Sequence, residues 1–415
     1  MTASKKRRAP GEGGVFEYKL ANGTPRWGIK YTAPGRDGKP KAVLRRRDEN
    51  GDPWLRKRDA LKALRESLAR VDKGTWVDPS KQTLDEFLET WVDGLGLADS
   101  TVEGYRKNIR LHVAPALGDV PLASLTGVRL TKFYRELRST GRKDHRSGEG
   151  LSARSVQLIH TMIRKALQTA VTSRPALLSF NPADDADSPT AKQAKAPEMT
   201  PWTFEELRTF LEWSAENESM HTAWAVAAMT GVRRGELLAL RWKDVDLDEL
   251  RLAVRRAVVL VKRKGEGERM VEKHTKTDRP RTIDLDEDTV GLLRSWRVSR
   301  AGLSLDFGRN DALVFGDEEG AWLHPERFTR SFKAAQRRCG KQLGRRGVEG
   351  PPEIRLHDLR HTHATILLGH LRENPKVVSE RLGHANVQTT LGIYAHALPG
   401  FQREAVNRLA ALMAQ

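Results

Sequence analysis

Four short stretches in the carboxyl half carry side chains suited to chemistry on a phosphate. In Thr230-Gly-Val-Arg-Arg-Gly-Glu236, Gly231 can stop a helix and Gly235 relaxes the next turn, so Arg233 sits on a tight corner with Glu236 placed to hold its guanidinium. An arginine fork donates two parallel hydrogen bonds and stays charged, which matches a phosphate. In His357-Asp-Leu-Arg360-His361, residues three and four apart share a helix face, so a proton carrier and a fixed cation would meet one substrate. In Leu382-Gly-His384-Ala-Asn386, followed by Tyr394, a continuous helix would hold His384 and Tyr394 ~15 Å apart. Gly383 and Asn386 instead predict a break and a new N-cap that fold two helices together, letting both side chains face one pocket. The fourth stretch, HTKTDRPRTIDL, offers Lys276, with Lys273 as a neighbouring competitor.

Taken singly, each stretch has an ordinary explanation. Arg233 and Glu236 read as a surface ion pair. Val387, Leu391, Tyr394 and Leu398 form a helical stripe that reads as core. A lone lysine after a hairpin reads as a solvated turn residue. A metal set of His357, His361 and His363 lacks both the HExxH pattern and a carboxylate partner at fixed spacing. There is no Walker A pattern, and Gly11–Gly14 follows no strand. No metal and no cofactor is expected.

The elements that must position these residues follow from the rest of the chain. A length of 415 residues suggests two to four domains. The net charge is +18. Residues 1–78 hold 20 Lys and Arg against 10 Asp and Glu, more than half of that surplus. Such an excess points to a polyanionic partner, because each cation placed on a phosphate releases a counterion. The single cysteine, Cys339, excludes a disulfide scaffold or a multi-cysteine zinc site. No apolar run approaches the ~20 residues of a membrane span, and no apolar stretch follows the basic start as in a secretory signal. The expected compartment is the reducing cytoplasm.

The fold class expected is multidomain α+β. After a basic tail expected to be disordered, strands at 15–20, 26–31 and 42–47 precede a helix over 56–73 whose apolar face is Leu61, Leu64, Leu68 and Val71. Arg26, Lys30, Lys41, Arg45, Arg46 and Arg47 on this small sheet could face DNA. The pattern then turns helical. Thr83-x-x-Glu86, Ser100-x-x-Glu103 and Thr203-x-x-Glu206 read as capping boxes. Residues 80–180 read as a four- or five-helix bundle. Its longest helix, 152–171, carries Val156, Ile159, Ile163, Leu167 and Ala170 on one face. The expected domains are 1–78, 79–185, a linker at 186–201, 202–398, and a C-terminal helix at 399–415. Within 202–398, helices near 204–215, 221–229 and 234–240 come first. The run 252–261 and the segment 281–285 read as strands flanking the polar loop KRKGEGERMVEKHTKTD.

Together and in this order, the four stretches resemble the tyrosine recombinase (phage integrase) family, recognised by R…K…HxxR…H…Y: here Arg233, Lys276, His357, Arg360, His384 and Tyr394. The flanking text TGVRRGE, KTxxxxRTI, LHDLRHTHAT and LGHANVQTTLGIYAH matches, and so does the junction GTWVDPSKQTLDEFLETW. The resemblance covers nearly the whole chain. It implies a strand-built N-terminal domain for arm-type sites, a helical core-binding domain, and a mainly helical catalytic domain with a small antiparallel sheet. It further implies that Tyr394 attacks a DNA phosphodiester and holds a 3′-phosphotyrosine, with Glu236 and His361 in support. The implied partners are double-stranded DNA at core-type and arm-type attachment sites, three further protomers in a synaptic tetramer, an excisionase, and a host DNA-bending protein. Under this reading the helix at 401–413, with Ala405, Leu409 and Leu412 on one face, docks on a neighbouring protomer. Rival readings are a type IB topoisomerase-like enzyme, a chromosome-resolving recombinase, and a catalytically inactive DNA-binding protein.

Overall fold

Alternating burial lays down three antiparallel strands, β1 (Gly14–Lys19), β2 (Pro25–Pro34) and β3 (Pro40–Arg45), in the order β1-β2-β3. Ile29, Tyr31, Ala33 and Val43 point to one side and pack on α1 (Lys57–Asp72) through Ala60 and Leu64. The computed structural model describes residues 13–35, 39–48, 52–73, 76, 82–144, 148–195, 199–263, 267–274, 280–384, 386–394 and 401–413. The basic tail at 1–12 lies outside them. The chain divides into two compact units, Met1–Pro197 and Glu198–Gln415.

The first unit holds a second, separate core built from helices: α2 (Leu84–Asp93), α3 (Asp99–Asn108), α4 (Ala114–Leu117), α5 (Gly127–Thr140) and α6 (Ala153–Thr172). A π-helical turn, Ile109–Val113, joins α3 to α4. The stripe expected on α6 is buried throughout, with Val156 and Ile163 at 0% exposure. The capping box at Thr83 forms as expected. The one expected at Ser100 does not. Helix α3 starts two residues earlier, capped by Ala98 without a side-chain bond, and Glu103 pairs with Arg106 at 2.9 Å instead. After α6, Asn181 donates to Arg164 O at 3.0 Å and Ala183 joins the core, so the chain stays on the bundle before turning away.

The second unit opens with α7 (Phe204–Asn217), capped by the Thr203–Glu206 box, then α8 (His221–Thr230) and α9 (Arg234–Leu238). Strands β4 (Val245–Asp246), β5 (Arg251–Val254) and β8 (Arg281–Asp284) form one antiparallel sheet. Strands β6 (Arg256–Arg263) and β7 (Gly267–His274) form a separate hairpin. The remaining helices are α10 (Glu287–Leu303), α11 (Pro325–Gly344), α12 (Asp358–Thr365) with a π turn at Ile366–His370, α13 (Pro375–Leu382), α14 (Val387–Tyr394) and α15 (Phe401–Met413). Trp202, Phe210, Trp224 and Phe332 form an aromatic box, with ring pairs 5.1 to 6.1 Å apart. Each such contact contributes roughly 0.5–1.5 kcal/mol beyond burial. The backbone N–H of Trp202 also donates to Thr362 Oγ1 at 3.0 Å, tying this box to α12.

Two expectations here are corrected. The run 252–261 is not one strand. Pairing changes at residue 255: Val254 pairs with Arg281 of β8 and Arg256 pairs with His274 of β7, while Arg256 hydrogen-bonds to the buried Asp244 and Arg255 lies 3.8 Å from the same carboxylate. The polar stretch after it is not a plain loop, because its start extends β6 to Arg263 and its residues 267–274 form β7. Its apolar residues are few, Met270 and Val271 among charged neighbours, so its sequence shows no apolar alternation. Glu272 holds it to Arg241 at 3.1 Å, and Glu268 reaches His324 at 3.2 Å. No described helix is long and apolar enough to cross a membrane.

Candidate functional site

Two left-handed glycines build the site. Helix α8 ends at Gly231 with φ +65°, and α13 ends at Gly383 with φ +70°, a conformation that only glycine adopts without strain. Both corners are crowded. A Cβ on Gly231 would fall 2.7 Å from Leu382 Cδ2 and 2.9 Å from His363 Cδ2, and one on Gly383 would fall 2.9 Å from Arg281 Cδ. Gly235 serves a purpose different from the one expected. It lets β6 approach, since a Cβ there would meet Val258 O at 2.6 Å.

The free carbonyls at these helix ends attract cations. Arg360, buried on α12, donates from Nη1 to Gly231 O and from Nη2 to Leu382 O, both at 2.7 Å. Arg233 donates to the next carbonyl, Gly383 O, at 3.3 Å. Glu236 fixes Arg233 twice, accepting from its backbone N–H and from Nη1 at 2.8 Å each. Burial opposes ionisation of Glu236, yet hydrogen bonds and charge from Arg281 and then Arg233 hold its pKa at about 2. Three sites expected from spacing thus converge: Arg233 with Glu236, Arg360, and the Leu382–His384 corner.

The histidines around them are held neutral. Burial and then the Arg360 charge push His357 below its ordinary value. Its ring meets His361 edge to face at 5.0 Å, and burial, followed by His357, lowers His361 to about 4. Burial, followed by Arg360 and Arg233, lowers His384 to about 4, so His384 belongs to the same electrostatic cluster. A neutral imidazole can accept a proton, as a base beside a phenol must. Asp358 accepts from Arg355, both backbone and guanidinium, and fixes the start of α12. His363 packs behind the Gly231 corner. It accepts from Arg381 Nε at 3.1 Å, and burial and then Arg381 lower it to about 3. Among the described residues no three His, Cys, Asp or Glu are gathered to hold a metal ion.

Helix α14 brings Tyr394. Asn386 Oδ1 accepts from Gln388 N–H at 2.8 Å, the expected N-cap. Thr390, fully buried, meets His384 Nδ1 at 2.7 Å. Tyr394 is the last residue of α14, four positions after Thr390. The Tyr394 side chain and Leu398 lie outside the description, and so does Lys276, in 275–279 beyond the end of β7.

Sequence reasoning missed Arg281, Arg381 and Thr390. Arg281 donates to both Glu236 oxygens, at 3.1 and 2.6 Å, and from Nε to Arg381 O at 3.0 Å. Arg381 bridges His363, Asp284 O and Met229 O. For Arg281 and Thr390 the signals were present in the text RTI and VQTT, read there only as flanking sequence; Arg381 had none.

In the first unit, strand register divides the six basic candidates. Arg26 and Lys30 stand on the face away from α1, beside Phe16 and Tyr18, and the Phe16 ring lies across Gly28. Arg46 joins that face, 5.2 Å over the Tyr18 ring. Lys41 and Arg45 fall in the register of Ala33 and Ile29, which face α1, and Arg45 lies 5.9 Å over Trp54. Arg47 bridges to Pro53.

The sequence profile of the Phage integrase family matches residues 199–400, and that of the Phage integrase N-terminal SAM-like domain matches 83–138. The ICEBs1 integrase of Bacillus subtilis is 28% identical over 72% of this chain and 75% of its own length. The putative prophage phiRv2 integrase of Mycobacterium tuberculosis is 27% identical over 99% of this chain and 98% of its own. The Tn1549 transposon integrase, solved with a circular intermediate DNA, superposes with TM-score 0.62 at 21% identity, covering 79% of this chain and 99% of that one. A lambda integrase tetramer bound to a Holliday junction gives 0.51 at 17%, over 94% and 96%.

Proposed function

The chain belongs to the phage integrase family of tyrosine recombinases, and we propose that it integrates and excises a mobile genetic element by cutting and rejoining DNA at attachment sites through Tyr394. The observation that carries this reading is the meeting of Arg233 and Arg360 at the Gly231 and Leu382–Gly383 corners, with their charges felt by His357 and His384, directly before the helix that ends in Tyr394.

The Tyr394 oxygen attacks phosphorus, the bond to the 5′-oxygen breaks, and a 3′-phosphotyrosine retains the bond energy. A phenol of pKa ~10 needs help at neutral pH. His357 takes the phenolic proton. Arg233 and Arg360 bind the non-bridging oxygens and stabilise the charge that builds in the transition state. His384 donates a hydrogen bond to the phosphoryl group, and Lys276 protonates the departing oxygen. A 5′-hydroxyl of another strand then attacks the phosphotyrosine, and Tyr394 recovers its proton.

The domains fall at 1–78 for arm-type DNA, 79–185 for core-type DNA and 202–398 for catalysis. The synaptic species is a homotetramer acting in the cytoplasm, with an excisionase and a host DNA-bending protein setting direction. On α15, Val406, Leu409 and Leu412 are exposed, which suits docking on a neighbouring protomer. If deleting 399–415 left synapsis and cleavage unchanged, that docking would be wrong.

A nicked suicide substrate tests the chemistry. Wild-type protein should become covalently attached to it. Tyr394→Phe should retard the same DNA without attachment, and adducts formed by that variant would overturn the assignment.

A further inference from the structure

We propose that Arg281 is a positioning residue for Arg233: it orients and electrostatically cancels the Glu236 carboxylate that the two arginines share, so that Arg233 keeps its positive charge for the scissile phosphate. The inference rests on reading Arg233 as a phosphate-binding cation.

The two arginines are placed for different tasks. The Arg233 side chain is 39% exposed, and Arg281 is 11% exposed. Arg281 commits all three guanidinium nitrogens inside the protein, two to Glu236 and one to Arg381 O. Arg233 gives Nη1 to Glu236 and Nη2 to a longer bond with Gly383 O. Arg281 thus faces the carboxylate from inside, and Arg233 faces it from the accessible side.

Charge arithmetic gives this arrangement a purpose. Glu236 is buried, and it is ionised at neutral pH. Paired with Arg233 alone, it would leave a neutral dipole where a phosphate must bind. Adding Arg281 brings the group to +1, with the surplus on the exposed side. In a site of low dielectric this difference is felt strongly by an approaching anion. Orientation follows as well. With both Glu236 oxygens held by Arg281, the carboxylate cannot rotate, and Arg233 is presented in one pose.

The test is single-turnover adduct formation on the suicide substrate, measured beside core-site affinity, with full-length protein. Arg281→Gln should slow adduct formation about 10- to 100-fold while changing affinity less than about threefold. Arg281→Lys, which keeps the charge, should recover most of the rate. The decisive variant is Arg281→Gln with Glu236→Gln. Glutamine at 236 removes the uncancelled negative charge while its amide oxygen can still accept from Arg233, so the double variant should be faster than Arg281→Gln alone. A merely structural arginine predicts the opposite, because losing a second partner deepens the damage. An Arg281→Gln protein with wild-type rate, or a double variant no faster than the single, would overturn the proposal. Should Arg281→Gln not fold, the double variant is compared with Glu236→Gln. A difference under about threefold is expected, and a tenfold loss overturns the idea. Failure of the underlying reading looks different: Arg233→Ala would cleave at the wild-type rate.

Discussion

Arg233 and Arg360 lean on consecutive carbonyls of one helix corner. Arg360 donates to Leu382 O at 2.7 Å, and Arg233 donates to Gly383 O at 3.3 Å. The residues come from α9's start and from α12, more than 120 positions apart in the chain. The end of α13 sets the separation of the two cations.

Arg360→Lys tests that geometry. A lysine cannot span Gly231 O and Leu382 O, because it carries one nitrogen instead of a planar fork. Adduct formation should fall roughly 100- to 1,000-fold, about 3–4 kcal/mol of lost transition-state stabilisation, while DNA retardation persists. Rapid-quench cleavage beside gel retardation reads both.

Acid should unfold the second unit earlier than its carboxylates alone would dictate. His361 and His384 are lowered to about 4 and His363 to about 3, from an ordinary 6.5. The unfolded chain therefore binds protons first as pH falls. Stability is fully present above pH 6.5 and is lost progressively as pH falls toward 4. Glu236 adds its own loss only below about 4.5, since its pKa falls from 4.5 to about 2 on folding. Thermal melts from pH 8 to 4 should show the fall begin near 6.5. His363→Gln, which keeps an acceptor for Arg381, should flatten the curve, and an unchanged slope would contradict the assignment.

Gly383→Ala should damage both stability and cleavage. It combines φ +70° with a Cβ 2.9 Å from Arg281 Cδ. Gly347 provides the control, with φ +73° and open space around its Cβ. Gly347→Ala should cost about 1–2 kcal/mol for backbone strain alone and leave cleavage intact. Gly383→Ala should cost more in denaturant melts and slow adduct formation at least tenfold.

The two faces of the N-terminal sheet should differ in DNA binding. Lys30 and Arg26 stand on the outer face with Phe16 and Tyr18, and Lys41 shares the register of Ala33. Lys30→Ala should weaken arm-site binding and reduce the salt slope by about one unit. Lys41→Ala should change the slope by less. Equal effects would mean that both registers reach DNA.

What the sequence made legible was local. The Thr83 and Thr203 boxes, the α6 stripe, the glycine break before His384 and the Asn386 cap all depend on residues within a few positions of one another. What it hid was long-range pairing. Arg281 meets Glu236 across 45 residues, and Arg381 meets Met229 O across 152. No periodicity encodes such meetings. The break at residue 255 was hidden for the same reason, because it is a change of strand partner from Arg281 to His274. The gap between Gly231 and its neighbours is likewise invisible until α8 and α13 are set side by side.

The stretch from Leu382 to Tyr394 behaves as a single cassette. Its first two carbonyls seat the guanidinium groups, its histidine is pinned to its own threonine, and its last residue is the aromatic hydroxyl. Under the roles proposed for Arg233, Arg360 and Tyr394, anyone grafting a different reach or specificity onto this scaffold cannot retune the grip and the strike separately. Swapping those thirteen residues moves both at once, so chimaeras cut inside the stretch should fail where chimaeras cut at its borders survive.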